Sequence, residues 1–394
     1  MKKTVSMILT TSIILGLAGC SGQKQPEPAA SSQTAAESKD TASDSRDTAP
    51  AADTGADTAD VKANQSGPDK ASGDVVLMRI AGTCTASDEV GEYLGMKKLE
   101  ELIETYSDGT INVELYPANQ LGGASEIAQS IQLGTVEGAV LGLDVFSSFN
   151  PICYVTSLPY VFDNYDVVRE TLDGKNSVGQ KLYDSMRENN DVRIIGGMHR
   201  GYRAIGLVKR ASGAGDDAVI TPADFNGLTI RTPDTQTVTE VVESFGARSV
   251  IMSTSEIATS LAQGLVQGID YGFTELWARE WDGIKYVVET NHATSDVVSM
   301  VNETWFETLT DAQKDAILRA GQETADYRYE IMLTETERGR EQLAKWGIRD
   351  YHDDMIDMAA FRECAAPLYE EWIGKYIDQD LYDEIIALNE AAAK

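Results

Sequence analysis

The side chains able to do chemistry in this sequence are mostly charged ones. Asp and Glu total 63 against 33 Lys and Arg, a formal net charge of −30 over 394 residues. Histidine is scarce: His199, His292 and His352 are far apart, and none sits in a ligand-spaced pair. The sequence has no G-x-x-x-x-G-K-S/T phosphate loop, no H-E-x-x-H zinc helix and no G-x-S-x-G nucleophile elbow. No metal or organic cofactor is expected. Carboxylates are abundant enough to hide an acid/base pair, but no local pattern selects one. One cation is better placed. Arg231 ends a short apolar strand (GLTIR, 227–231) and precedes a helix beginning near Thr235. A guanidinium at a strand end, beside a helix amino terminus, suits a carboxylate, which it can grip with two parallel hydrogen bonds. The net field repels anions, so local cations must hold one. The same field argues against a nucleic-acid partner, which needs a basic stripe.

The elements that position Arg231 follow from an internal repeat. Residues 125–142 (SEIAQSIQLGTVEGAVLG) and 255–272 (SEIATSLAQGLVQGIDYG) are identical at nine of 18 positions with a constant offset of 130. Leu99, Leu102, Ile103 and Tyr106 fall on one helical face, and Ile111, Val113 and Leu115 alternate as in a strand. Gly134 and Gly264 stand where helix-ending glycines belong. Each copy reads strand, helix, strand, helix, strand, which predicts α/β lobes with mostly parallel sheets. From Thr310, with Gln313 completing a capping box, a helical pattern runs to about Trp346. A helix that long would span roughly 54 Å and brace both lobes. Further helices are predicted over 354–377 and 379–393. The expected fold is a two-lobed periplasmic-binding-protein-like clamshell with crossing strands. Lobe I is expected to comprise 74–200 with 297–337, and lobe II 201–296 with 338–394. Ligands of open α/β sheets bind beyond the carboxyl ends of the strands, so the cleft should lie there.

Residues 1–20 carry a positive start, a short apolar run and Leu17-Ala18-Gly19-Cys20. That order is a secretory signal, and its end resembles the bacterial lipobox. The resemblance implies cleavage before Cys20, lipidation of its thiol and anchoring outside the cytoplasm. Residues 21–73, poor in large apolar side chains, read as a tether of roughly 40 Å mean span. Cys84, Cys153 and Cys364 allow at most one bridge; three buried thiols are the simpler expectation.

Specific motifs lie on this frame. Residues 221–233 (TPADFNGLTIRTP), 116–123 (YPANQLGG), 158–162 (LPYVF) and 201–203 (GYR) keep one order. Together they resemble the substrate-binding proteins of tripartite ATP-independent periplasmic (TRAP) transporters over about residues 75–394. The resemblance implies a monomeric receptor that captures a small organic acid, a dicarboxylate or sugar acid, and delivers it to membrane permease subunits. It also implies that Arg231 clamps the ligand carboxylate and that Arg203 assists. Arg200 is a competing candidate expected to face outward.

The loops after equivalent strands, at Asp144 and at Phe273, should face the cleft. Where the family often has an Asn-Pro pair, this chain has Asp270-Tyr271-Gly272, and Ala262 replaces a frequent Gln. Tyr271, Phe273 and Trp277 are therefore expected to form an aromatic wall. Glu89, with Asp88, is expected to reach ligand hydroxyls. Two other readings remain open: a surface-anchored hydrolase, which would turn over glycosides or esters, and a receptor for a ligand without a carboxylate that serves another transporter or a sensor.

Overall fold

The repeat is visible in the order of elements. In the computed structural model, residues 75–278, 280–295 and 297–393 are described. The signal segment 1–20, Cys20 and the tether 21–73 lie outside these residues. The first copy runs β1 (Val76–Gly82), α1 (Gly91–Tyr106), β2 (Ile111–Tyr116), α2 (Ala124–Gln132) and β3 (Gly138–Leu141). Two 3-10 turns, Leu143–Phe146 and Pro151–Ser157, lead to α3 (Tyr165–Leu172), α4 (Ser177–Asn190) and β4 (Val192–Met198). After β5 (Arg203–Leu207), the second copy runs β6 (Thr229–Thr232), α5 (Gln236–Ser244), β7 (Arg248–Ile251), α6 (Ile257–Ala262) and β8 (Gly268–Gly272). There follow α7 (Phe273–Leu276), β9 (Tyr286–Val288), β10 (Val297–Asn302) and α8 (Glu303–Glu307). The chain ends with α9 (Asp311–Lys345), β11 (Arg349–Tyr351), α10 (Met358–Trp372) and α11 (Gln379–Ala392).

Each copy builds the parallel part of one sheet. The first sheet has the order β2-β1-β3-β10-β4, and the second β11-β9-β5-β8-β6-β7. β1 pairs in parallel with β2 and β3, as β6 does with β7 and β8. The sheets are nevertheless mixed, not mostly parallel. β10 runs antiparallel to β3 and β4, and β5 antiparallel to β8 and β9. The reason is exchange between lobes. β10 enters the first sheet after the chain has laid down β5 to β9 of the second, and β5 enters the second directly from β4. Gly134 and Gly264 take left-handed φ of 67° and 68°, closing α2 and α6 as the sequence predicts. Each sheet is covered on both faces by apolar clusters.

Helix α9 braces both lobes. Thr310 accepts from the Gln313 amide, and Gln313 reaches back to the Thr310 amide, forming the predicted box. Its 35 residues span about 52 Å. The two glycines that look like interruptions are points of close approach. A Cβ on Gly321 would fall 2.4 Å from the Ile195 carbonyl oxygen of β4 in the first lobe. A Cβ on Gly339 would fall 2.3 Å from the Trp277 ring in the second.

The carboxyl-terminal segment divides differently from the expectation that 338–394 joins lobe II. Phe361 and Ala365 of α10 pack in the second lobe. Trp372, Ile377, Leu381 and Ile385 return to the core of the first, where α11 lies on α3 and α4. The Leu381–Ile385 stripe at i, i+4 supplies the apolar face that this groove buries. Cys84, Cys153 and Cys364 are free thiols, the first two buried. Among the described residues no helix is long and apolar enough to cross a membrane.

Candidate ligand-binding cleft

The carboxyl ends of the parallel strands and the helix starts that follow them line a cavity of about 650 Å³. From the first lobe come Leu141, Asp144, Ser157 and the start of α2 at Ala124–Glu126. From the second come Arg231, Asp234, Thr235, Tyr271 and the turn Ser253–Ser255. Ser125 and Ser255, equivalent in the repeat, thus line the cleft from opposite sides. Both starts carry the same device: Glu126 accepts from the Gly123 amide at 2.8 Å and Glu256 from the Ser253 amide at 2.9 Å.

Arg231 is 4% exposed, at the end of β6. Its Nε donates to the Met252 carbonyl at 2.9 Å and its Nη1 to the Asp270 carbonyl at 3.1 Å. These bonds fix the plane of the fork. Its Nη2 has no protein hydrogen-bond partner, and no carboxylate lies within ion-pair distance, among the described residues. The Tyr271 ring lies 5.7 Å away against the guanidinium. Burial pushes the Arg231 pKa down to about 10, with Arg203 adding like-charge repulsion and Tyr271 opposing the shift. The group is still charged at neutral pH. A buried cation without a counter-charge is unfavourable until an anion joins it.

Arg203, at the start of β5, lines the same cavity but already has a partner. Its Nε and Nη2 both donate to Asp270 Oδ1, the former at 2.7 Å. The other Asp270 oxygen lies 2.8 Å from Nε2 of buried His292. Burial opposes the Asp270 charge, but Arg203 and His292 outweigh it and hold the carboxyl at about 2. Arg203 is therefore a compensated cation that still presents an edge to the cleft.

Arg200 departs from the expectation that it faces outward. It lines the cavity, its side chain 12% exposed, and its Nη1 lies 2.9 Å from Glu92 Oε2 of α1. Strict strand alternation would set residues 200 and 203 on opposite faces. Gly201, at φ 81°, breaks that alternation in the crossing segment.

Four expected ligand contacts lie elsewhere. Phe273 and Trp277 are 5% and 4% exposed and pack in the second-lobe core. Gly272 is the cap of α7, so Phe273 opens that turn and Trp277 follows at i+4 on the same face, directed at α9. The aromatic wall therefore reduces to Tyr271. Glu89 is solvent-exposed and pairs with Arg338 of α9 at 3.2 Å in a separate surface groove. Asp88 pairs with Lys97, equally exposed. Asp144 does reach the cleft, where it accepts a hydrogen bond from Thr235 Oγ1 across the two lobes. Asn119, from the YPANQLGG segment, also lines it in a left-handed conformation, φ 61°. Its turn was legible in the sequence, but its direction was not.

The bacterial extracellular solute-binding protein family 7, DctP, matches residues 82–375. The 2,3-diketo-L-gulonate-binding periplasmic protein YiaO of Escherichia coli is 23% identical over 289 residues, covering 73% of this chain and 84% of that protein. The C4-dicarboxylate-binding periplasmic protein DctP of Rhodobacter capsulatus is 24% identical over 280 residues, 70% of this chain and 81% of that one. Among solved structures, a TRAP periplasmic solute-binding protein from a Polaromonas species, bound to D-erythronate, superposes with a TM-score of 0.71 at 21% identity, covering 79% of this chain and 98% of that one. The sugar-acid-binding protein of Advenella mimigardefordensis in complex with galactonate gives 0.72 at 19% identity, covering 81% and 99%. The clamshell fold is shared with both. With its duplicated lobes, its cleft arginine and a match over most of its folded length, the chain belongs to the DctP family of bacterial extracellular solute-binding proteins, which bind substrates and are not enzymes.

Proposed function

We propose that this protein captures a small organic acid, a sugar acid or dicarboxylate, between its lobes and delivers it to TRAP-type permease subunits. The observation that carries this reading is Arg231: a buried guanidinium facing the cleft, with a fixed plane, an unengaged edge and, among the described residues, no carboxylate of its own. In this role Arg231 clamps the ligand carboxylate, Arg203 assists from β5, Tyr271 packs the ligand body, and Asp144 accepts from its hydroxyls. The cavity volume, about 650 Å³, suits a ligand of this size. Relatives named for binding 2,3-diketo-L-gulonate, C4-dicarboxylates and sialic acid support the acid class. The lipobox-like Leu17-Ala18-Gly19-Cys20 supports a lipid anchor on Cys20, holding a monomeric receptor on the outer side of the membrane.

The reading is tested by denaturing protein purified from its host and identifying released small molecules by mass spectrometry. Wild type should release a carboxylate-bearing compound that Arg231→Ala does not. Release only of compounds without an acid group, equally from both, would overturn it. Metabolic labelling with a fatty acid, lost in Cys20→Ala, tests the anchor.

A further inference from the structure

The buried hydroxyls that line the cleft are not equally committed. Thr156, Ser157, Thr235, Thr294 and Ser295 all lie buried in its wall. Four of them already donate: Thr156 to the Cys153 carbonyl, Ser157 to the Tyr154 carbonyl, Thr235 to Asp144 and Thr294 to the Thr156 carbonyl. The fifth, Ser295 Oγ, has no hydrogen-bond partner among the described residues, although the residue is only 6% exposed. A buried hydroxyl in that state is unfavourable until a partner reaches it. Its position is fixed by the backbone. Ser295 lies between β9 and β10, on the segment that crosses from the second sheet to the first. Its amide donates to the Gly201 carbonyl at 2.8 Å, and Tyr202 and Thr294 form a bridge beside it, so the two crossing segments hold each other. Its hydroxyl lies over Gly272, the last residue of β8, which also lines the cleft. A Cβ on Gly272 would fall 2.2 Å from Ser295 Oγ, so the glycine leaves that space to the cleft. Arg231 Nη1 bonds the Asp270 carbonyl, two residues earlier on the same strand. The points where the two side chains meet β8 are thus about 7 Å apart, a span that a short hydroxy acid covers.

Resting on the proposed function, we infer that Ser295 is a ligand-binding residue: while Arg231 holds the carboxylate, Ser295 Oγ shares a hydrogen bond with a hydroxyl further along the acid. The cleft therefore selects hydroxy acids, sugar acids above all, over acids with a bare carbon chain of the same length. A serine hydroxyl both donates and accepts, so it matches a ligand hydroxyl in either sense. A bare chain would seal the Ser295 hydroxyl from water with nothing to bond, and that unpaired group is the main source of the discrimination.

The test is titration calorimetry with two matched pairs, galactonate against hexanoate and malate against succinate, in which the members differ in hydroxyls alone. In whichever pair is bound, wild type should hold the hydroxylated member at least about tenfold more tightly. Ser295→Ala should cut that ratio about tenfold by weakening the hydroxy acid, leaving the bare acid unchanged or slightly tighter. Ser295→Cys, which keeps the volume but donates weakly, should fall between. Arg231→Ala should weaken both members and leave their ratio. Where only erythronate or glucuronate binds, Ser295→Ala should weaken it about tenfold. Thermal unfolding without ligand separates this role from a structural one: removing a hydroxyl that bonds nothing should leave Ser295→Ala at least as stable as wild type. An affinity ratio, or a sugar-acid affinity, unchanged in Ser295→Ala would overturn the inference. So would equal affinity of wild type for both members of a pair, or a ligand-free Ser295→Ala clearly less stable than wild type. In those cases the proposed function stands. Failure of wild type to bind any acid of the whole panel would overturn the proposed function and this inference with it.

Discussion

The two halves of the repeat share a frame and differ at its centre. β1 sets Ala81 against Ala139 of β3, and β6 sets Arg231 against Ile269 of β8. The glycines one step earlier, Gly138 and Gly268, are the same repeat position, so Ala81 and Arg231 are structural counterparts. By the same offset Val140 corresponds to Asp270. The first lobe fills these places with fully buried apolar side chains, and the second with an arginine and an aspartate. Duplication supplied two sheets with strand ends aimed at one cleft. The anion site proposed above rests on charge placed in only one of them. The cost also differs: an apolar pair packs without conditions, whereas buried charges need partners.

The largest expected effects come from erasing this asymmetry. Arg231→Ala makes the second lobe resemble the first at the strand end. It should weaken acid binding by about 3–5 kcal/mol, a hundredfold to several thousandfold, in calorimetry. The fold should persist, because removing an uncompensated buried charge does not leave another stranded. Asp270→Asn should do the reverse. It strands Arg203 beside Arg231 and should destabilise the protein by about 3–5 kcal/mol in urea unfolding. Smaller than these is a pH effect in the same place. Asp270 titrates at about 2 in the folded protein, below its ordinary 3.8. Its stabilising contribution is complete above about pH 4 and is lost as pH falls through about 2, roughly 2 kcal/mol in all. Asp270→Asn should remove that share of the acid-side slope. A final change tests the brace that both lobes share. Gly321→Ala places a methyl against the Ile195 carbonyl and should cost about 1–3 kcal/mol in thermal unfolding, with little effect on intrinsic ligand contacts.

Much of the frame was legible in the sequence because it rests on periodicity. The repeat, the glycine caps at 134 and 264 and the capping box at Thr310 are local signals, and local physics decides them. Arg231 was legible for a related reason: a strand end followed by a helix start fixes where its side chain emerges. The remaining site residues depend on direction. Phe273 and Trp277 sit after a strand that does end at the cleft, but one turn of helix carries both into the core. Arg200 was expected to face outward, but the left-handed backbone at Gly201 turns it into the cleft. Glu92 lies over a hundred residues before Arg200, and no spacing rule links them. The antiparallel strands β5 and β10, and the return of α11 to the first lobe, are likewise long-range matters. They follow from which apolar face finds which groove.

Arg231 is the one cation of the described cleft without a carboxylate partner, and we propose that it reads a ligand carboxylate. The most direct measurement is calorimetric titration of wild type and Arg231→Ala with galactonate, alongside galactitol as its uncharged counterpart. Wild type should bind galactonate tightly, Arg231→Ala should lose at least about a hundredfold, and galactitol should bind weakly to both. Galactonate binding of equal strength in wild type and Arg231→Ala would contradict it.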